Sequence, residues 1–130
     1  MTVVADTMRL PFVASTPNIA RTKLAAFLTI NRIESGIIDN ALIVLSEMIA
    51  NAVSHGVPDE QGMMEVGWSI RGTNLELEVA DAGDCDSLVP VPFDEDSLSG
   101  RGLSIISQLA SDWSVDVADG TRIRAHIALT

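Results

Sequence analysis

Residues Ile37 to Ser54 constrain the fold more than any other stretch of the chain. Ile38, Leu42, Leu45, Ile49 and Val53 recur at helical spacing, and Val44 and Met48 widen the stripe. A helix apolar over so much of its circumference has to be enclosed by protein. Gly56, with Pro58 shortly after it, ends the helix. The cover follows in the sequence. Met64, Val66, Trp68 and Ile70 alternate with Glu65, Gly67 and Ser69. After a turn from Arg71 to Asn74, Leu75, Leu77 and Val79 alternate with Glu76 and Glu78. Two adjoining period-two segments predict a half-buried antiparallel hairpin.

The other segments complete a two-layer arrangement. Met8 to Val13 reads as a short strand. Ser15 or Thr16 offers an N-cap, with Pro17 just inside the helix start. From Asn18 to Leu28 the apolar residues Ile19, Leu24, Phe27 and Leu28 keep helical spacing, and Asn31 to Gly36 breaks it. A third helix begins near Gly100 and carries Leu103, Ile106 and Leu109. Trp113, Val115 and Val117 alternate, and Ala118 to Thr121 turns. Ile123, Ala125, Ile127 and Leu129 form a last strand, with Arg122, Arg124 and His126 on its other face. The order β-α-α-β-β-loop-α-β-β predicts an α+β two-layer sandwich. Its sheet is mixed and mostly antiparallel, with three helices on one face. The length of 130 residues predicts a single domain over 1–130.

Charge and cysteine usage narrow the function. Against 18 Asp and Glu stand 8 Lys and Arg, a net charge of −10. Nucleic-acid binding needs clustered cations, and none are clustered here, so direct nucleic-acid binding is not expected. A basic protein partner suits this charge. The single cysteine, Cys85, leaves no internal disulfide and no multi-thiolate metal site. The N-terminal residues do not read as a signal peptide, and no apolar run reads as a membrane span. A cytoplasmic protein without membrane attachment is expected.

Four constellations could carry chemistry. On the apolar helix, Glu47, Asn51 and His55 lie four residues apart and so run down one side, with Ser54 beside them. Alone, such a stripe reads first as a solvated helix face. Asp81 and Gly83 sit where an alternating strand opens into a loop, a place that suits ligands, although alone the pair reads as an ordinary Asp-x-Gly turn. Ser99, Gly100 and Gly102 lead into the third helix, whose free N–H groups and dipole suit phosphate. The Gly-Lys-Ser/Thr ending of a Walker A loop is absent. Gly120 and Thr121 mark the final hairpin. Between Asp81 and Ser99 no period survives, and a loop of that length in a small domain is usually functional or mobile.

In this order and spacing, the four resemble the GHKL superfamily of ATPases and kinases, which has the Bergerat ATP-binding fold. The chain is most similar to small bacterial anti-sigma-factor serine/threonine protein kinases. "VLSEMIANAVSHG" resembles that family's N box, "VADAGD" its first glycine box and "SGRGLSIISQLASDW" its second. The resemblance implies ATP and Mg2+ as cofactors. It assigns Asn51 to the Mg2+ ion, Asp81 to the adenine amino group, and Gly83 and Thr121 to the adenine side. It assigns Gly100, Arg101, Gly102 and Leu103 to the phosphates and residues 85–99 to a mobile lid. Glu47 would orient or deprotonate the attacking hydroxyl, and His55 matches the end of the N box. The physical chemistry of phosphoryl transfer agrees, because it asks for alignment and charge neutralisation more than covalent chemistry. Arg101 also suits charge stabilisation on the transferred phosphoryl group.

The implied partners are a sigma factor and a small antagonist (anti-anti-sigma) protein, with a homodimer in addition. One position departs from the family: Cys85 stands where a glycine is usual, which bears on turnover more than on fold. Two other readings follow from the same residues. One is a nucleotide-binding regulatory module without phosphotransfer. The other is the ATP domain of a sensor histidine kinase, which is weakened by the lack of an upstream helix pair bearing a phospho-acceptor histidine.

Overall fold

The structure is a computed structural model that describes residues 3–83, 105–117 and 120–130. Strand β1 (Val3–Pro11) is followed by helices α1 (Thr16–Ile30) and α2 (Ser35–His55). Then come β2 (Met63–Arg71), β3 (Asn74–Asp81), β4 (Asp112–Asp116) and β5 (Thr121–Ala128). Residues 105–109 are helical. The strands form one sheet in the order β1-β2-β3-β5-β4, and all four pairings are antiparallel. This is the expected α+β sandwich.

Period-two patterning sets the sheet's two faces. Met64, Val66 and Trp68 of β2, Leu75, Leu77 and Val79 of β3, and Ile123, Ala125 and Ile127 of β5 are all buried on the inner face. Ala20, Leu24 and Leu28 of α1, the inner side of α2 and Ile106 pack in the same core. Burying a Leu, Ile or Val fully contributes roughly 1.5–3 kcal/mol, so this one core carries the fold. The β2–β3 turn is tight because Gly72 adopts φ +62°, a left-handed conformation open to glycine.

The structure corrects several details. β1 begins at Val3 rather than Met8 and ends at Pro11, because it pairs with β2 along its whole length, from Val3↔Arg71 to Pro11↔Met63. The polar residues Asp6 and Thr7 hide this from pattern reading, since an edge strand tolerates them. In α1 the buried stripe is Thr16, Ala20, Leu24 and Leu28, and Ile19 is exposed. Ser15 is the N-cap position but makes no side-chain cap bond, while the buried Thr16 hydroxyl donates to the Pro11 carbonyl. The buried side of α2 is Ala41, Val44, Leu45, Met48, Ile49 and Ala52; Ile38, Leu42 and Val53 are only partly buried. α2 is also long and apolar enough to cross a membrane, with a mean hydropathy of 1.5, which overturns the expectation that no segment would be. Here only one side of it is buried in the core, and Ile43, Ala50, Ser54 and His55 are exposed, so it is less enclosed than its apolar stripe predicts.

No described helix covers the outer face of the sheet, which is lined with paired charges instead. Arg122 bridges Glu65 at 3.1 Å and Glu78 at 2.8 Å. Arg124 lies 3.0 Å from Glu78 and 3.7 Å from Glu76. His126 Nε2 is 3.0 Å from Glu76 and Nδ1 is 2.5 Å from Asp112. These contacts run across β2, β3, β5 and β4 as one ladder.

Two carboxylates on one imidazole favour its doubly protonated form. The His126 pKa is raised above 6.5, first by the Glu76 hydrogen bond and then by the Asp112 bond, against a smaller desolvation effect. A raised folded pKa gives stability that is fully present below the unfolded value and is lost as pH rises through the folded value. The melting temperature should therefore fall as pH rises from about 6 to about 8, and the fall should be smaller in His126→Gln. Identical pH profiles for the two proteins would show that the ladder does not hold His126 protonated.

Candidate active site

The site is built around the last residue of β3. Alternation puts Asp81 on the inner face after Val79, where the sheet ends, and its side chain is buried. Asp81 Oδ1 accepts hydrogen bonds from the Gly83 N–H at 2.6 Å and the Val57 N–H at 3.3 Å. The Val57 carbonyl accepts from the Ala82 N–H at 2.9 Å, which fastens the chain after α2 to the end of β3. Burial pushes the Asp81 carboxyl above its usual range, and the two N–H groups offset this in part.

Three glycines make room for this residue. A Cβ at Gly83 would fall 2.5 Å from Asp81 Oδ1, and one at Gly56 would fall 2.5 Å from Oδ2. Gly120 has φ +77°, and a Cβ there would fall 2.5 Å from the Asp81 carbonyl oxygen. Thr121 stands opposite Asp81 in the β3–β5 register and is buried; its hydroxyl donates to the Gly83 carbonyl at 3.2 Å. Asp81, Gly83 and Thr121, singled out in the sequence, are thus joined in one cluster. Gly56 and Val57 belong to the same cluster, although the sequence marked Gly56 only as a helix stop and gave no signal for Val57.

α2 carries the remaining described candidates away from this cluster. Asn51 precedes Gly56 by five residues, about 7.5 Å along the axis, and Glu47 lies about 6 Å further on. Asn51 is half-buried, and its Nδ2 is buried without a hydrogen-bond partner among the described residues. A buried unpaired amide is costly and marks a position awaiting a ligand or a further contact. Glu47 is half-buried and lines a cleft of about 400 Å³ with Arg21, Asp39, Leu42, Ile43 and Ser46. His55 and Ser54 are exposed. Gly100, Arg101, Gly102, Leu103, Cys85 and the 85–99 loop lie outside the described residues, as does the start of the third helix. Among the described residues, no group of three or more His, Cys, Asp or Glu side chains could hold a metal by itself. The carboxamide oxygen of Asn51 could contribute one ligand to a cation held mainly by phosphates.

Known proteins share this fold. Solved structures with the same fold include the RsbU and RsbW domains of Rv1364c from Mycobacterium tuberculosis, 17% identical with a TM-score of 0.73. That match covers 97% of this chain and 32% of the other, so the chain spans about a third of that protein's length. The SiaB–SiaC complex from Pseudomonas aeruginosa matches at 14% identity and TM-score 0.68, covering 94% of this chain and 87% of the other. The histidine kinase domain of the blue-light activated histidine kinase EL346 from Erythrobacter litoralis matches at 22% identity and TM-score 0.54. It covers 72% of this chain and 45% of that one. No curated protein matches the chain in sequence. The family model for the histidine kinase-like ATPase domain matches residues 13–127, nearly the whole chain. The chain belongs to the histidine kinase-like ATPase domain family.

Proposed function

We propose that the chain is a cytoplasmic, ATP-binding serine/threonine protein kinase of the anti-sigma type. It transfers the γ-phosphoryl group of ATP to a hydroxyl on a small antagonist protein and thereby regulates a sigma factor. The observation that carries the reading is the Asp81 slot, a buried carboxylate flanked by glycines, with no hydrogen bond to Oδ2 among the described residues. Such an acceptor suits the amino group of adenine. The unpaired Asn51 amide, one to two helical turns away, fits the triphosphate end. Mg2+, when bound, would be held in part by the Asn51 carboxamide oxygen and would neutralise phosphate charge.

The order along α2 suits one extended nucleotide: base at Gly56, phosphates at Asn51, transferring group at Glu47. Glu47 takes the proton of the attacking hydroxyl. The hydroxyl oxygen bonds to the γ-phosphorus while the bond from that phosphorus to the β–γ bridging oxygen breaks, leaving ADP. The cleft beside Glu47 leaves room for a protein segment carrying that hydroxyl. The shared fold with an RsbW domain and with the two-protein SiaB–SiaC structure supports a reading that includes a protein partner. A homodimer is part of the same proposal. A nucleotide-binding module without transfer is the second reading, and Cys85 in the first glycine box favours it.

The test mixes the chain with Mg2+, γ-labelled ATP and candidate antagonist proteins. The expected product is labelled antagonist whose phosphate survives acid, as a serine or threonine ester does. Acid-labile label on a histidine would overturn the serine/threonine assignment. ATP binding without transfer to any candidate would leave the binding module.

A further inference from the structure

Gly56 is a glycine for a reason its own backbone does not supply. Its φ of −88° and ψ of −170° are extended values open to any residue. What excludes a side chain is space: a Cβ would fall 2.5 Å from Asp81 Oδ2, 2.6 Å from its Cγ and 2.6 Å from the Ala52 carbonyl oxygen. Gly83 abuts the same carboxylate. Its Cβ would fall 2.5 Å from Oδ1, 3.4 Å from Val57 N and 3.6 Å from Gly56 Cα. The two glycines therefore lie close together, and both abut the carboxylate. Oδ1 is held by the N–H groups of Val57 and Gly83, and Oδ2 receives none among the described residues. One of these groups comes from Asp81's own strand end, while Gly56 and Val57 come from the end of α2, the helix that carries Asn51.

Resting on the nucleotide reading above, we infer that Gly56 and the Val57 N–H are positioning residues for base selection. They hold the Asp81 carboxylate in the orientation that leaves Oδ2 free for a 6-aminopurine. A 6-oxopurine turns a carbonyl oxygen toward the same carboxylate and is repelled. Base choice is therefore set from the α2–β2 connection as well as from the strand that bears Asp81.

Two variants test this. Gly56→Ala pushes the carboxylate aside. Val57→Pro removes the donor at an exposed position, and Gly56 before it is already extended, as the residue preceding a proline prefers. Melting curves establish that each is folded, and calorimetry gives dissociation constants for ATP and for inosine triphosphate. The wild-type chain should prefer ATP by about tenfold or more, as loss of a charge-assisted hydrogen bond implies. Both variants should shrink that preference by at least about threefold, while the affinity for inosine triphosphate, held through its phosphates, changes little. Folded variants that keep the wild-type ratio would overturn the inference, and Val57→Pro decides alone if Gly56→Ala does not fold. If the wild-type chain binds neither nucleotide, the kinase reading fails instead. The titration of the Asp81 carboxyl carbon by NMR then decides the positioning claim. Its midpoint should rise in Val57→Pro, which loses a stabilising N–H, and an unchanged midpoint would overturn the claim.

Discussion

Glu47→Gln should bind Mg-ATP as the wild type does and transfer phosphate roughly 100- to 10,000-fold more slowly. The residue sits one helical turn from Asn51 on a half-buried side of α2, beside the cleft lined by Arg21, Asp39 and Ser46. Glutamine keeps the length and shape of the side chain, and no described hydrogen bond or ion pair reaches Glu47. Stability should therefore change by no more than about 0.5 kcal/mol. What is lost is the carboxylate one turn before Asn51; His55, one turn after Asn51 toward the helix end, is exposed. Calorimetry and a single-turnover transfer assay separate the two quantities. A variant that transfers at the wild-type rate would reduce Glu47 to a helix-face residue.

Asp81→Asn should lose ATP affinity by about 1.5–3 kcal/mol, roughly ten- to 150-fold, without losing the fold. The amide oxygen can still accept from the Val57 and Gly83 N–H groups, so the local backbone keeps its ties. The other position becomes an NH2, a donor set against the adenine amino group, which is also a donor. Stability moves the other way. Burial raises the Asp81 pKa, so the wild type gains stability from this site as pH falls through the folded value and loses it as pH rises. At neutral pH the variant should melt at or above the wild-type temperature. A variant that is destabilised and still binds ATP tightly would make Asp81 a structural residue only.

Period and turn chemistry made the hairpin β2–β3, strand β5 and helix α2 legible, because each buries one regular set of side chains. The ends were harder to read. β1 reaches back to Val3 because tertiary pairing with β2 outweighs the polar residues Asp6 and Thr7. α1 turns Ala20 inward and Ile19 out, because its buried stripe runs through Thr16, Ala20, Leu24 and Leu28, which the larger apolar residue at 19 obscures in the sequence. The outward placement of Arg122, Arg124 and His126 followed from alternation. Their pairing with Glu78, Glu76 and Asp112 did not, because it depends on strand register.

The same distinction applies to the site. Asp81, Gly83 and Thr121 could be picked out by motif, and the structure joins them through hydrogen bonds. Gly56 looked like a helix stop, and its second role appears only when residue 81, distant in sequence, is folded against it. Nothing in the local sequence marks the Val57 N–H, since a backbone donor has no residue signature.

The most direct measurement is a calorimetric titration of the wild-type chain with ATP in the presence of Mg2+, with Asp81→Asn as control. Saturable binding of one nucleotide per chain is the predicted result. It should be accompanied by a stability gain of about 2.7 kcal/mol at a hundredfold excess over the dissociation constant, and by the weaker binding of the control. A wild-type chain that gives neither heat of binding nor a shift in melting temperature would contradict the account at its centre.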